Sequence, residues 1–391
     1  MQLMKRKRVG VIGGGQLAWM MAKAAQKLGI DLVVQTPHPD DPAVKIAAET
    51  ILAAVDDAAA TVRLANRCDV ITFENEFINL EALKPLAERG VCFRPSLEAL
   101  SPLLDKYHQR CYLKEIRLPV PRFIALKRDD NAFSCDLKLN FPIVLKSRRH
   151  GYDGQGTFII SDRDELEAIY KRFPDASWLL EEFIPFEREL AVIAARSVAG
   201  EVVIYPVVET YQKDRVCHWV IVPAALAPEI ELEIERIARH LLEKLQVVGV
   251  FGIELFLTQD GKVLVNEIAP RTHNSGHYTL DACETSQFEM QLRAVTELSL
   301  GSSALKCSGA VMVNLLGYEH SHSNYQEKRD RIAAIPHAYL HWYDKTESRP
   351  GRKLGHVTVL LESETATSSS QSVKEQLLEI ARKIETLWYG A

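Results

Sequence analysis

The run Gly252–His277, GIELFLTQDGKVLVNEIAPRTHNSGH, decides how the chain is read. Two apolar-rich segments, Gly252–Thr258 and Lys262–Ile268, flank Asp260-Gly261, a pair that favours the backbone of a tight hairpin turn. A turn on that pair sets Gln259 opposite Lys262, Leu257 opposite Leu264 and Glu254 opposite Glu267. Two carboxylates then face each other on one side of the ladder, which costs stability unless a cation compensates them. Hard cations with oxygen ligands, above all Mg²⁺ carrying nucleotide phosphates, meet that need. Two solvated glutamates on an edge face are the plain alternative. Just past the strand end, Arg271, His273, Asn274, Ser275 and His277 crowd together anion-binding and proton-handling groups, and this favours a site.

Around this hairpin, 391 residues leave room for two or three domains. A composition 47% hydrophobic and 25% charged is that of a soluble globular protein, and a net charge of −5 gives no reason to expect nucleic acid or an anionic membrane. The opening MQLMKRKR is basic, but Gly13-Gly14-Gly15 breaks the apolar residues after it, so a signal segment is not expected. Cys68, Cys92, Cys111, Cys135, Cys217, Cys283 and Cys307 form no C-x-x-C pair, which favours free thiols in a reducing cytoplasm.

At the N-terminus, strand Arg8–Ile12, a glycine turn and helix Gln16–Leu28 make a ready anion site, either for a phosphate ester or as a bare βα turn. The spacing lacks the third glycine of a dinucleotide fingerprint, and the second strand, Asp31–Gln35, ends without an acidic ribose ligand. With Val70–Phe73 and Glu74 after it, the alternation predicts an open parallel sheet whose ligand edge is at the strand C-termini. A helix over Asp105–Ile116 carries Lys106, Arg110 and Lys114, and Leu118–Pro121 reads as a linker.

The second domain opens on a strand, Phe141–Lys146, followed by SRRHGYDGQGT, whose glycines let backbone amides approach a phosphate or simply form an exposed turn. Ser177–Ile184 is a strand ending in Glu181-Glu182, residues that either meet an adenosine or cap the strand. Strands are expected over Leu190–Ala195, Val202–Val208 and Val216–Val222, with Gln212 between the last two. An amphipathic helix follows over Glu229–Leu245, with Ile230, Ile234, Ile237, Ala238, Leu241 and Leu245 on one face. After the hairpin come a helix over Thr285–Leu298, strands Ala310–Leu315 and Tyr339–Tyr343, a cationic loop Arg349–His356, and a final helix, Val373–Trp388. The cationic loop is either a solvated turn or a phosphate clamp.

A lysine-ended strand, a glycine loop, paired carboxylates after a strand and a hairpin with opposed glutamates together resemble the ATP-grasp superfamily. Within it, GGGQL, GYDGQGT, EEFI, NEIAPRTHNSGH, HWYDK and RPGRKLGH are similar to the N5-carboxyaminoimidazole ribonucleotide synthetases, from Val9 to His356. The resemblance implies an α/β fold, α+β in the grasp, with three domains. These are an N-terminal Rossmann-like open parallel sheet (1–108), an ATP-grasp domain (109–302) and a small C-terminal domain (303–391). It also implies a cytoplasmic homodimer. The implied reaction carboxylates the exocyclic amine of 5-aminoimidazole ribonucleotide with bicarbonate and ATP, through carboxyphosphate and CO₂, in purine biosynthesis.

Position by position, the resemblance places Lys106, Lys146 and the loop Gly151, Tyr152, Asp153, Gly154, Gln155, Gly156 and Thr157 on the ATP phosphates. Glu181, Glu182, Phe183 and Ile184 fall at the adenine, Glu189 at the ribose, and Gln212 and Asn266 at further nucleotide contacts. Glu254 and Glu267 fall on Mg²⁺, with Mn²⁺ as a substitute. Gln16, Glu74, Arg271, His273, Asn274, Ser275, Lys345, Arg352 and Lys353 surround the ribonucleotide. Tyr152, Asp153, Arg271, His273 and Lys353 are implied to act in catalysis, with Asp153 and His273 both open as proton acceptor. The chain departs from the family at Ala18-Trp19, where Gly-Arg is common, and at Ala269, where many ATP-grasp enzymes carry a metal-binding Asn. The rivals are another ATP-grasp ligase such as formate-dependent glycinamide ribonucleotide transformylase, a nicotinamide dehydrogenase resting on the glycine turn alone, and a non-catalytic nucleotide-binding module.

Overall fold

The computed structural model describes residues 6–126, 140–149, 156–173, 175–362 and 370–390. Gly151–Gln155, with Tyr152 and Asp153, and Cys135 lie outside the described residues.

The N-terminal unit is a four-stranded, wholly parallel sheet in the order Glu49–Leu52, Asp31–Thr36, Arg8–Ile12, Val70–Phe73. Val9, Val11 and Ile12 are fully buried, because helices cover both faces and even the strand's outward positions need apolar side chains. Helix Gln16–Leu28 supplies the crossover to the second strand and packs Met20, Met21 and Ala25 onto the sheet.

A smaller antiparallel sheet, ordered Phe123–Leu126, Trp178–Glu182, Ile143–Ser147, Thr157–Ile160, forms one jaw of the grasp. The other jaw belongs to a nine-stranded antiparallel sheet. It runs Val263–Ala269, Gly249–Thr258, Phe186–Arg196, Val208–Lys213, Val216–Val222, Gly309–Leu316, Lys353–Leu361, Ala338–Trp342, with Val202–Ile204 attached to Phe186–Arg196. Helix Pro228–Leu245 covers one face, burying Ile234, Ile237, Ala238, Leu241, Leu242 and Leu245, while Ile230 is only partly buried. The sheet continues into the C-terminal unit because Val216–Val222 pairs with Gly309–Leu316.

Three sequence expectations need correction. Val202–Val208 is two strands, Val202–Ile204 and Val208–Lys213, separated around the buried Tyr205. Lys353–His356 does not belong to a loop; it opens strand Lys353–Leu361, whose Val357 and Val359 are buried between two partner strands. The hairpin keeps Glu254 opposite Glu267, but Leu257 faces Val263 and Phe256 faces Leu264. The loop holds three residues, closed by Thr258 N–H donating to Lys262 O at 2.9 Å, so the register slips by one near the turn. A β-bulge at Asn266 slips it back. The six described cysteines, Cys68, Cys92, Cys111, Cys217, Cys283 and Cys307, are free.

Candidate active site

The three sheets enclose a cavity of about 1230 Å³. Its wall includes Glu254, Asn266 and Glu267 from the hairpin, Lys106 and Lys146 from the small jaw side, and Glu189 and Gln212 from the large sheet. Glu181, Glu182, Phe183, Ile184 and Thr157 line the side toward the small sheet. Gln16, Glu74, Arg271, His273, Asn274 and Ser275, with Lys345, Arg352 and Lys353, line the side toward the N-terminal sheet. Of the described residues expected at the site, Gly156 and the fully buried His277 stand off the wall. Arg149 and Arg349 are on the wall without having been assigned a role.

The bulge explains the local geometry. Inserting Asn266 turns its side chain toward the same recess as Glu267, where its Oδ1 accepts from Lys146 Nζ at 3.0 Å and its Nδ2 donates to Glu254 Oε2 at 3.3 Å. Glu267 pairs with Lys106, and Glu254 has His273 Nε2 at 3.5 Å. Burial, followed by the negative charges of Glu267 and Glu189, pushes Glu254 up to about 7 against the pull of Lys106 and Lys146. Burial works the same way on Glu267, but Lys106, with help from Lys146 and Arg110, holds it below the usual carboxylate range. The pair therefore keeps one proton between them near neutrality, which an added cation would displace.

Behind this pair lies a charge cluster that sequence reasoning missed. Arg110, on helix Lys106–Glu115, donates through Nε to Glu181 and through Nη2 to the carbonyl of Asn266. Lys146 Nζ lies 2.7 Å from the other Glu181 oxygen. Burial raises Glu181, but Arg110 and Lys146 outweigh it and hold the carboxyl at about 2. Lys146 does not gain in return. Burial lowers it, and Arg110 and Lys106 repel it, so its pKa falls despite Glu181. The carboxylate, with two cations in direct contact, is the group that this cluster holds charged. Three cations thus converge where carboxylates do not fully balance them, an arrangement suited to a polyphosphate anion. Glu181 is spent on this cluster, and Glu182 accepts from Arg122 N–H and Nε, both at 2.7 Å.

The glycine turn behaves differently from its sequence reading. Glu74, just after strand Val70–Phe73, places its carboxylate at the N-terminus of helix Gln16–Leu28, where Leu17 N–H donates to Oε1 at 3.2 Å. The protein's own anion fills the position that a pyrophosphate would take, which removes the basis of the dehydrogenase reading. Gly13 has φ 123, and a Cβ there would lie 2.5 Å from the Cβ of Glu74. Gly13→Ala is expected to destabilise the N-terminal unit by about 1–3 kcal/mol through strain and this clash. A melting temperature equal to the parent's would contradict that reading.

Lys345 links two units, donating from Nζ to Gln16 Oε1 at 2.8 Å and to the carbonyl of Lys353 at 2.7 Å. Arg271 forms an ion pair with Glu76 at 2.9 Å. Trp19, at the position where the family often has arginine, is off the cavity wall. Its ring meets Tyr343 edge-on at 6.1 Å, and Lys23 Nζ lies 3.5 Å above it. Ala269 is on the wall and offers no side-chain ligand. Buried Gln109 also escaped the sequence reading. It bonds Ile268 on both backbone groups, with Oε1 accepting from N–H at 3.0 Å and Nε2 donating to the carbonyl at 3.1 Å. Outside the cavity, Asp281, His341 and His356 approach one another, but the two imidazoles stack face to face at 4.5 Å and His341 Nε2 is already 2.9 Å from Asp281 Oδ2. This is packing geometry, not convergence on an ion. Among the described residues, no helix is long and apolar enough to cross a membrane.

Three family models match in succession: the ribonucleotide synthetase preATP-grasp domain over residues 4–102, the ATP-grasp domain over 111–288, and the phosphoribosylaminoimidazole carboxylase C-terminal domain over 310–370. An N5-carboxyaminoimidazole ribonucleotide synthase of Synechococcus elongatus is 54% identical, over 98% of this chain and 95% of that protein. The ADP complex of an N5-carboxyaminoimidazole ribonucleotide synthetase superposes with a TM-score of 0.88 at 34% identity, over 99% of each chain. The Aspergillus clavatus synthase in complex with ADP and 5-aminoimidazole ribonucleotide gives a TM-score of 0.86 at 29% identity, over 97% of this chain and 99% of that one. The chain belongs to the N5-carboxyaminoimidazole ribonucleotide synthase family of ATP-grasp enzymes.

Proposed function

We propose that the chain is an ATP-dependent carbon–nitrogen ligase. It carboxylates the exocyclic amine of 5-aminoimidazole ribonucleotide with bicarbonate and releases ADP and phosphate, in purine biosynthesis. The observation that carries this reading is one cavity with two chemically different ends. One end joins the Glu254–Glu267 pair to Lys106, Arg110 and Lys146. The other presents Arg271, Lys345, Arg352 and Lys353.

The donor set fits a magnesium ion: two carboxylates face each other, and burial with the charges of Glu267 and Glu189 pushes one of them, Glu254, up to about 7. Glu254 and Glu267 would hold the ion, which would neutralise phosphate charge during transfer. Lys106 and Lys146 bind and orient the triphosphate. Phosphoryl transfer from ATP to bicarbonate requires positioning and charge neutralisation more than a covalent nucleophile. In this reading bicarbonate oxygen attacks the γ-phosphorus and ADP leaves. Carboxyphosphate breaks down to CO₂ and phosphate, and the amine captures the CO₂ as it gives up a proton. The enclosing sheets keep CO₂ from escaping. Arg271, Lys345, Arg352 and Lys353 orient the ribonucleotide, with Gln16, Glu74, Asn274 and Ser275 around it. Glu182, Phe183, Ile184, Glu189 and Gln212 receive the adenosine. Glu181 acts by holding Arg110 and Lys146, not by touching the base. His273, beside Glu254, is the described candidate for taking the amine proton.

The three domains are proposed at 1–108, 109–302 and 303–391, with a homodimer in the cytoplasm as the working assembly. A coupled assay tests the reaction. ADP release is expected only when both 5-aminoimidazole ribonucleotide and bicarbonate are present. Dependence on formate and glycinamide ribonucleotide instead would sink the proposal.

A further inference from the structure

We infer that Gln287, which does not line the cavity, is the positioning residue for His273 in the reaction proposed above. Gln287 is fully buried at the first residue of helix Gln287–Val295. Its carboxamide pairs with both backbone groups of His273. Nε2 donates to the His273 carbonyl at 2.7 Å, and Oε1 accepts from the His273 N–H at 2.9 Å. A neighbouring strand would make the same two bonds, but the chain has left the sheet by this point. One side chain replaces the missing strand.

The same amide reaches further along the loop. Nε2 lies 3.3 Å from Nδ1 of His277, and donates to that nitrogen when the ring carries its proton on Nε2. Burial, with Lys353 and His273 adding to it, lowers the His277 pKa and keeps that ring neutral. Gln287 N–H in turn donates to Thr279 Oγ1 at 2.9 Å, and that hydroxyl donates to the Gly276 carbonyl at 2.6 Å. Gly276 has no room for a side chain: a Cβ would lie 2.6 Å from Gln287 Oε1. The loop 273–277 is therefore tied at two residues, His273 and His277, to one carboxamide, and at Gly276 through Thr279 to the Gln287 backbone N–H.

The geometry at the other end shows what is held. His273 presses on strand Gly249–Thr258 so closely that a Cβ at Gly252 would lie 2.4 Å from its own. Its ring has Nδ1 at 2.9 Å from Ser275 Oγ and Nε2 at 3.5 Å from Glu254 Oε1. Removing the carboxamide leaves a peptide N–H and carbonyl unpaired in a dry interior, so the loop moves to satisfy them. A displacement of about 1 Å at a reacting group costs up to about 10²-fold in rate. Gln109 clamps Ile268 in the same manner, but Ile268 is a buried core residue whose side chain has no proton to give or take, whereas His273 brings an imidazole to the cavity.

A double-mutant cycle tests this. Gln287→Met keeps the side-chain length and removes all three bonds. It is expected to lower kcat by about 10–100-fold, the range for partners that orient a working ligand. KM for ATP should stay within about threefold, because Lys106 and Lys146 are untouched. In a His273→Ala background the same Gln287 change is expected to cost less than about threefold, since its effect runs through His273. An unaltered kcat in Gln287→Met overturns the inference, and so does a full, undiminished loss in the His273→Ala background. If Gln287→Met does not accumulate folded, Gln287→Glu runs the same cycle, keeping the length and the acceptor for the His273 N–H. The inference rests on the carboxylation reading, and the two fail separately. Loss of that reading shows in the parent chain's substrate dependence, loss of this one only in the cycle.

Discussion

Glu267→Gln is expected to abolish turnover, by about 10³-fold or more, while leaving the fold in place. The substitution keeps shape and one acceptor but removes the charge at the point where the hairpin faces the triphosphate. The asymmetry of the pair makes Glu267 the more sensitive member. Lys106 keeps it ionised, whereas Glu254 stays protonated up to about pH 7 because burial and the neighbouring charges, Glu267 first among them, push it up. Without Glu267, Glu254 ionises at lower pH but stands alone, and Lys106 loses its partner. The fold should lose little, because Glu267, although deep in the cavity, keeps 43% of its side-chain surface open to the solvent that fills it. ADP release measured beside the thermal midpoint checks both halves. Retention of more than about a tenth of turnover would contradict the metal role proposed for Glu267.

Why the sequence disclosed the carboxylate pair but not its surroundings follows from where each contact comes from. The hairpin is local: two apolar runs and Asp260-Gly261 suffice to predict it, and the two-residue turn they suggest sets Glu254 opposite Glu267. Even so, two departures had to cancel. The loop takes three residues instead of two, and the Asn266 bulge restores the register. Nothing local distinguishes these cases, since Gly261 suits either turn, and the bulge is supported by Lys146, which lies 120 residues away. The glycine turn misled for a similar reason. Its helix N-terminus does bind an anion, but Glu74 supplies it from 57 residues downstream. Strand Lys353–Leu361 was hidden because its first residues continue a basic run, and its pairing with Gly309–Leu316 and Ala338–Trp342 is what makes them extended. Gln109, Arg110 and Gln287 are polar residues of helical stretches that carry no local mark of a role. Their function appears only when Glu181, Ile268 and His273 fold back against them.

Glu181→Ala is expected to cost the folded state about 3–5 kcal/mol, the usual penalty for stranding a buried charge. Two charges are stranded here. Arg110 and Glu181 each keep only 3% of their side-chain surface, and Lys146 keeps 11%. The pH dependence supplies an independent check. Because the Glu181 carboxyl titrates at about 2 in the folded protein and at 4.5 ordinarily, the unfolded chain binds the proton more tightly. Its stabilisation is therefore complete above about pH 4.5 and is lost as pH falls toward 2, a difference of about 3 kcal/mol by linkage. The parent should lose stability across that window with a slope steeper by about one proton than Glu181→Ala shows. Arg110→Met separates the partners: it should raise the Glu181 titration and flatten the same limb, while Lys146 still holds part of the effect. Urea unfolding at a series of acidic pH values, followed through the transition of the ATP-grasp unit, measures all three. Equal acid slopes in the parent and Glu181→Ala would mean that the carboxylate is not held by these cations. The site would then need another explanation for how Lys146 stays charged in a dry pocket, where burial and two neighbouring cations already act against it.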